Sequence, residues 1–113
     1  MAFALFQNAL NPFNAIINGQ IAVNNIATMF GNNIVIGNGC AIDEGIMMGD
    51  NVQMGENVII GKNVTIGDNC IIGSNTVICD ESVIEANIII GANALIRAGT
   101  TVSNVVAPGT SSN

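Results

Sequence analysis

Every sixth residue from Ile36 to Val102 is Ile, Met or Val: Ile36, Ile42, Met48, Met54, Ile60, Ile66, Ile72, Ile78, Ile84, Ile90, Ile96 and Val102. A period that never fails marks a repeat architecture, and it outranks any local signal in the chain. The rest of the hexad is regular too. The residue after the aliphatic one is usually Gly, as at Gly37, Gly49, Gly55, Gly61, Gly67, Gly73 and Gly91. Three places after it stands Gly or Asn, among them Gly39, Gly45, Asn51, Asn57, Asn63, Asn69, Asn75, Asn87, Asn93 and Gly99. These residues tolerate a left-handed backbone, so each marks a corner.

Four places after the aliphatic residue comes a mostly smaller one, as at Cys40, Val52, Val58, Val64, Cys70, Thr76, Ser82, Ala94 and Thr100. Strand side chains alternate, so this position points the same way as the aliphatic residue two places on. A short strand with two inward residues followed by a corner, repeated every six residues, gives a coil with flat sides. Three sides close a triangle, so one coil takes eighteen residues. The expected fold is all-β, a triangular solenoid of about four to five such coils.

The pattern aliphatic–Gly–x–Asn–small–x, as in Ile60-Gly61-Lys62-Asn63-Val64-Thr65 and Ile66-Gly67-Asp68-Asn69-Cys70-Ile71, resembles the hexapeptide-repeat family. That family forms left-handed parallel β-helices and includes many acyltransferases and the gamma class of carbonic anhydrases. The left hand is implied by the resemblance alone, since parallel crossovers in general favour the right hand. The resemblance covers roughly residues 30–107. It speaks to fold more than to function, because one scaffold carries unrelated activities. The expected division is an N-terminal apolar helix or arm over 1–15, a β-helix over 16–107 with regular hexads over 30–107, and a tail over 108–113.

All ten charged side chains lie between Asp43 and Arg97, and the net charge is −6. Lys62 and Arg97, the two cations, cannot form a phosphate-neutralising patch, so a nucleic-acid partner is not expected. Glu44, Lys62 and Asp80 are eighteen apart and should lie above one another, with neighbouring coils about 4.8 Å apart. Asp50 and Asp68 stack likewise, and two carboxylates are few ligands for a calcium ion.

Phe3, Phe6, Leu10 and Phe13 recur at helical spacing within residues 1–15. With Leu5 they make either a helical plug over the end of the prism or an arm for a second subunit. The segment is too short to span a membrane and lacks the basic face of an interfacial helix. It also lacks the positive start of a secretory signal, so the expected location is the cytoplasm or an assembled particle or appendage. Residues 16–29 read as an irregular coil with Ile16 and Ala22 inward, corners at Gly19 and Asn25, and an insertion near Ala27 to Met29 that shifts the phase by two.

The outward strand positions form columns: Val35, Gln53, Ile71, Ile89; then Ala41, Ile59, Val77, Leu95; then Met47, Thr65, Val83, Thr101. A sheet packed on one side should be polar outside. Two of these columns are apolar instead, which points to an interface, with Ile59, Ile71, Val77, Ile89 and Leu95 as lateral contacts. The expected partner is a second copy of the chain, in a lateral trimer or an end-to-end filament through the uncharged terminal coils.

No His occurs in the 113 residues. The resemblance implies a His general base in the acetyltransferases and His-bound zinc in the carbonic anhydrases, and neither constellation can be placed here. General-base work would fall to a carboxylate. Cys40, Cys70 and Cys79 are not eighteen apart and make no metal or disulfide set. The leading expectation is therefore a non-enzymatic structural protein that self-assembles, with no cofactor. The alternatives are a His-free acyltransferase-like protein binding an acyl carrier such as coenzyme A, or a nucleotide-sugar, at a trimer groove, and the shaft domain of a phage or cell-surface appendage.

Overall fold

The structure, a computed structural model, describes residues 4–6 and 15–112. It is a parallel β-solenoid of about five turns. Its strands fall into three sheets, each one face of the prism. Face I stacks Ile16–Asn18, Val35–Gly37, Gln53–Met54, Ile71–Ile72 and Ile89–Ile90. Face II stacks Ile21–Val23, Ala41–Ile42, Ile59–Ile60, Val77–Ile78, Leu95–Ile96 and Ser111–Ser112. Face III stacks Met29–Phe30, Met47–Met48, Thr65–Ile66, Val83–Ile84 and Thr101–Val102. The chain visits the faces in the order I, II, III, so the corners are I–II, II–III and III–I.

The hexad explains each element. Ile60, Ile66, Ile72, Ile78, Ile84 and Ile90 are at most 1% exposed, and each such burial contributes about 1.5–3 kcal/mol. The small position completes the core, with Val52, Val58, Val64 and Cys70 fully buried. The backbone between coils is satisfied by a repeated pattern: Ile59 N–H donates to Thr76 O (3.0 Å), Gly61 N–H to Ile78 O (2.7 Å) and Asn63 N–H to Glu44 O (3.0 Å). Buried backbone groups must find partners, and here the coil above or below supplies them.

Left-handed backbone occurs at the expected corner residues, from Gly39 (φ 82°) and Asn51 (φ 61°) to Asn93 (φ 60°) and Gly99 (φ 72°). Two corners among the described residues break the Gly-or-Asn rule, Ala27 with φ 53° and Glu81 with φ 62°. The Gly that follows each aliphatic residue has a different cause. A Cβ on Gly73 would sit 2.4 Å from Ala92 N and 2.6 Å from Gly91 C, both backbone atoms of the next coil. Those glycines let successive coils approach.

Three expectations are corrected. The strand Ala4–Phe6, which includes Leu5 and Phe6, pairs antiparallel with Ile21–Val23 and is not helical. An edge strand presents unpaired N–H and C=O groups that another strand satisfies and a helix cannot. Phe3, Leu10 and Phe13 lie outside the described residues. The first coil also runs in a different phase. Ile17 is 1% exposed and Ile16 56%, while Ile21 and Val23 are buried on either side of half-buried Ala22. A slip of one residue turns every strand side chain to the other face.

The insertion is one residue, not two, and it falls earlier. Ile17 pairs with Ile36 and Val23 with Ile42, nineteen apart, whereas Phe30 pairs with Met48, eighteen apart. Asn24 N–H donates to Ile42 O and Gly45 N–H donates to Ile26 O, which leaves Asn25 as the additional residue. Buried Asn24 pins this corner: its Oδ1 accepts from Ile26 N–H (3.3 Å) and its Nδ2 donates to Glu44 Oε1 (3.4 Å). At the other end, Ser111–Ser112, within the segment read as a tail, pairs parallel with Leu95–Ile96.

Candidate functional site

The corners divide the charge unequally. Corner II–III carries six of the ten charged residues: Asp43, Glu44, Lys62, Asp80, Glu81 and Arg97. Corner III–I carries three, Asp50, Asp68 and Glu85, and corner I–II carries Glu56 alone. Both cations therefore stand on one edge, with the half-buried Cys79 in the coil between them.

The carboxylate stacks read from the sequence turn out to serve the backbone. Asp68 Oδ1 accepts from Asp50 N–H (2.7 Å), and Asp50 Oδ1 accepts from Asn32 N–H (2.8 Å). Asp80 Oδ1 accepts from Lys62 N–H (2.8 Å). Asn38 Oδ1 and Ser74 Oγ do the same for Gln20 and Glu56. These side chains satisfy corner N–H groups of the preceding coil, which explains Asp, Asn and Ser at this position better than ion pairing does. Among the described residues, no three Asp, Glu or Cys gather as a metal-binding set.

Two of the three thiols are also structural. Cys40 Sγ donates to Gly55 O (3.2 Å) and Cys70 Sγ to Glu85 O (3.1 Å). Thr76 and Ser82 make the equivalent bonds to Gly91 O (3.0 Å) and Arg97 O (2.9 Å). The donor lets a buried polar atom sit at the inward small position without penalty. Burial pushes both thiols above the ordinary cysteine pKa, with backbone hydrogen bonds opposing part of that rise. They are poor nucleophiles, because the reactive species is the thiolate.

The faces hold the remaining candidates. On face II, Ile59 is 49% and Leu95 37% exposed, with Val77 half-buried between them; on face I, Ile71 and Ile89 are 45% and 48% exposed. The five lateral residues named from the sequence thus lie outward, on the two faces that meet at corner I–II. Face III carries Met29 and Met47 outward, beside a shallow apolar depression of 410 Å³ lined by Phe30, Met48, Thr65 and Ile66. A more polar depression of 390 Å³ opens at the C-terminal end, among Ser103, Asn104, Val105, Val106 and Thr110. No helix among the described residues is long and apolar enough to cross a membrane.

Comparison with known proteins agrees with this architecture. The family described as bacterial transferase hexapeptide (six repeats) matches residues 33–68, 45–80 and 69–104. The acetyltransferase domain of PglB from Neisseria gonorrhoeae FA1090 superposes with a TM-score of 0.79 at 17% identity, over 88% of this chain and 52% of that one. The same domain in complex with acetyl coenzyme A gives 0.56 at 15% identity, over 89% and 56%. A maltose O-acetyltransferase from Clostridium difficile 630 gives 0.37 at 24% identity, over 84% and 60%, too loose a superposition to argue from. The chain thus spans about half the length of the acetyltransferase domain it resembles. No curated protein sequence matches it.

These findings correct the expectation of a non-enzymatic protein without a catalytic role. The matching family is one of transferases, and the PglB domain that shares the fold is an acetyltransferase domain. The expectation rested on the missing His, and acyl transfer needs a positioned proton acceptor rather than an imidazole as such. The matches span residues 33–104, the regular coils of the prism, and on that ground the chain belongs to the bacterial transferase hexapeptide-repeat family.

Proposed function

We propose that this chain is the β-helical part of an acyltransferase, works as a homotrimer, and binds an acyl carrier such as coenzyme A along a groove between prisms. The observation that carries the reading is the transferase-family match over the coils at residues 33–104. Lys62 and Arg97 share corner II–III with four carboxylates, Asp43, Glu44, Asp80 and Glu81, so an anionic carrier would be held there by individual charge-assisted bonds from these two side chains and not by a positive patch. In acyl transfer the acceptor hydroxyl or amine attacks the thioester carbonyl, a base takes the acceptor's proton, the C–S bond breaks to release the carrier as a thiolate, and the base returns that proton to the sulfur. The chain's own contribution is to hold the carrier. The proton-accepting groups within these 113 residues are carboxylates.

Thermal denaturation with added coenzyme A tests the reading. A ligand that binds only the folded state raises the melting temperature in proportion to the logarithm of its concentration. The expected result is a rise with millimolar coenzyme A that is reduced in Lys62→Ala and Arg97→Ala. No rise with either coenzyme A or acetyl coenzyme A would overturn carrier binding.

A further inference from the structure

We infer that the strand Ala4–Phe6 is a stop, which keeps the prism from growing end to end by stacking on a second copy of the chain. Among the described residues, its pairing with Ile21–Val23 is antiparallel and every other strand pair is parallel. A parallel ladder contains nothing that ends it. Each coil donates to the next, as Ile59 N–H does to Thr76 O and Leu95 N–H to Thr110 O. The coil of another copy has the same three sides, so its strands can extend the ladder wherever they run the same way. Head-to-tail contacts of that kind do not close, and they build filaments.

The side chains offer no defence against this. Edge strands are commonly guarded by charge, by bulges or by being very short. Residues 1–42 carry no charged side chain and neither do residues 98–113. The strands at the far ends of faces II and III, Ser111–Ser112 and Thr101–Val102, fall in that second stretch. The uncharged ends that lead the sequence to suggest a filament therefore need a guard built from backbone.

The strand Ala4–Phe6 supplies it by position, direction and length. Ala22 N–H donates to Cys40 O and Asn24 N–H to Ile42 O, so these residues turn their backbone groups to the second coil. Alternate residues of a strand face opposite neighbours, so Ile21 and Val23 turn theirs to Phe6 and Ala4, their partners in the register. In an extended ladder Ser111 N–H would donate to the counterpart of Cys40 O and Thr110 O, because Ala22 pairs with Ala41 and Leu95 with Ser111. That counterpart is Ile21 O, where Phe6 already stands. Leu5, opposite Ala22, is the residue of the strand whose N–H and C=O turn away from the prism. A copy arriving end-on thus meets one outward residue on face II, in a strand that runs against its own. Antiparallel bonds alternate between close and wide spacing while parallel ones are even and slanted, so the repeat cannot continue in register.

Proline substitutions test the stop, because each removes one N–H. Ala4→Pro combined with Phe6→Pro removes both donors that face Ile21–Val23. Leu5→Pro removes the donor that faces away and serves as the control. The full chain is followed at micromolar concentration by circular dichroism, pelleting in the ultracentrifuge and negative-stain electron microscopy. Wild type and Leu5→Pro should stay in the supernatant as discrete particles. The double variant should pellet as fibres whose diffraction shows strands stacked along the axis about 4.8 Å apart. Thr101 N–H holds the place on face III of Val83 N–H, which donates to Thr100 O. Adding Thr101→Pro and Ser111→Pro removes the donors of the opposite end and should return the fibres to discrete particles.

Fibres from the wild type, or a double variant that keeps its β-sheet signal and stays in the supernatant, overturn the stop. Fibres that survive Thr101→Pro and Ser111→Pro overturn the end-to-end geometry. If the double variant loses its β-sheet signal, Ala4→Pro alone is read in the same way. Loss of the signal there too would make the strand part of what holds the coils together and overturn its role as a stop. None of these outcomes bears on the coenzyme A titration, so carrier binding stands or falls separately.

Discussion

Replacing Glu81 with Asn should stabilise the protein, although it removes nothing that clashes. Glu81 has φ 62° at a corner where the neighbouring positions in the repeat, Asn63, Asn69, Asn75, Asn87 and Asn93, have φ between 58° and 65°. An L-residue with a Cβ pays about 1–2 kcal/mol to enter this region, and Asn pays less because its short polar side chain bonds locally. The net gain is therefore about 1 kcal/mol. For a domain of this size that is a rise in melting temperature of about 3–6 °C. Asn at corners also forms ladders, as Asn51 Nδ2 donates to Asn69 Oδ1 at 3.1 Å. The confounding effect is charge, because Glu81 neighbours Asp80. Glu81→Gln removes the charge and keeps the disfavoured backbone. Thermal denaturation of both variants in the same buffer separates the two causes: Glu81→Asn should rise and Glu81→Gln should stay near the wild type. If Gln raises the melting temperature as much as Asn, the backbone argument is wrong and repulsion is the cause.

Other outcomes follow from the same geometry. Gly73→Ala should cost about 3 kcal/mol, the upper end of the overpacking range, because its Cβ meets backbone of the next coil at 2.4 Å; Gly99→Ala, with open space but φ 72°, should cost about 1 kcal/mol, and chemical denaturation compares them. Cys70→Thr should fold normally, since Thr76 makes the equivalent bond to Gly91 O. Because burial raises the Cys70 pKa in the folded state, the folded protein holds that proton longer than the unfolded chain, and stability falls as pH climbs above the ordinary thiol value of about 8.5. Cys70→Thr should flatten that alkaline loss, measured as melting temperature against pH. Val77→Lys should lower the sedimentation coefficient toward a monomer's, because it sets a charge in the middle of the apolar column of face II; an unchanged assembly size would refute the lateral assignment.

The repeat was legible wherever one residue type has one physical reason to recur. Ile60, Ile66 and Ile72 read inward because the core accepts nothing polar of that size, and Asn57, Asn63 and Asn69 read as corners because few residues tolerate that backbone. The first coil was not legible, because Asn25 changes the phase by one residue while Ile16, Ile17, Ile21 and Val23 leave two inward registers equally apolar. Only the pairing of Ile17 with Ile36 and Val23 with Ile42 decides between them. The Gly after each aliphatic residue was visible as a pattern, but its cause is contact with a residue about nineteen places on, which a local reading does not reach. The same limit governed the charges. Asp50 and Asp68 look like a repelling stack when only side chains are counted, and become ordinary once each is seen to accept from the backbone of the coil before it. Function was least legible, for a related reason. A hexad spends nearly every position on closing the coil: two side chains for the core, one for the turn, one for coil contact, one for capping the neighbour. The outward strand residue and the charged corners are what remain free to vary, so the proposed oligomer contact and carrier site are expected there.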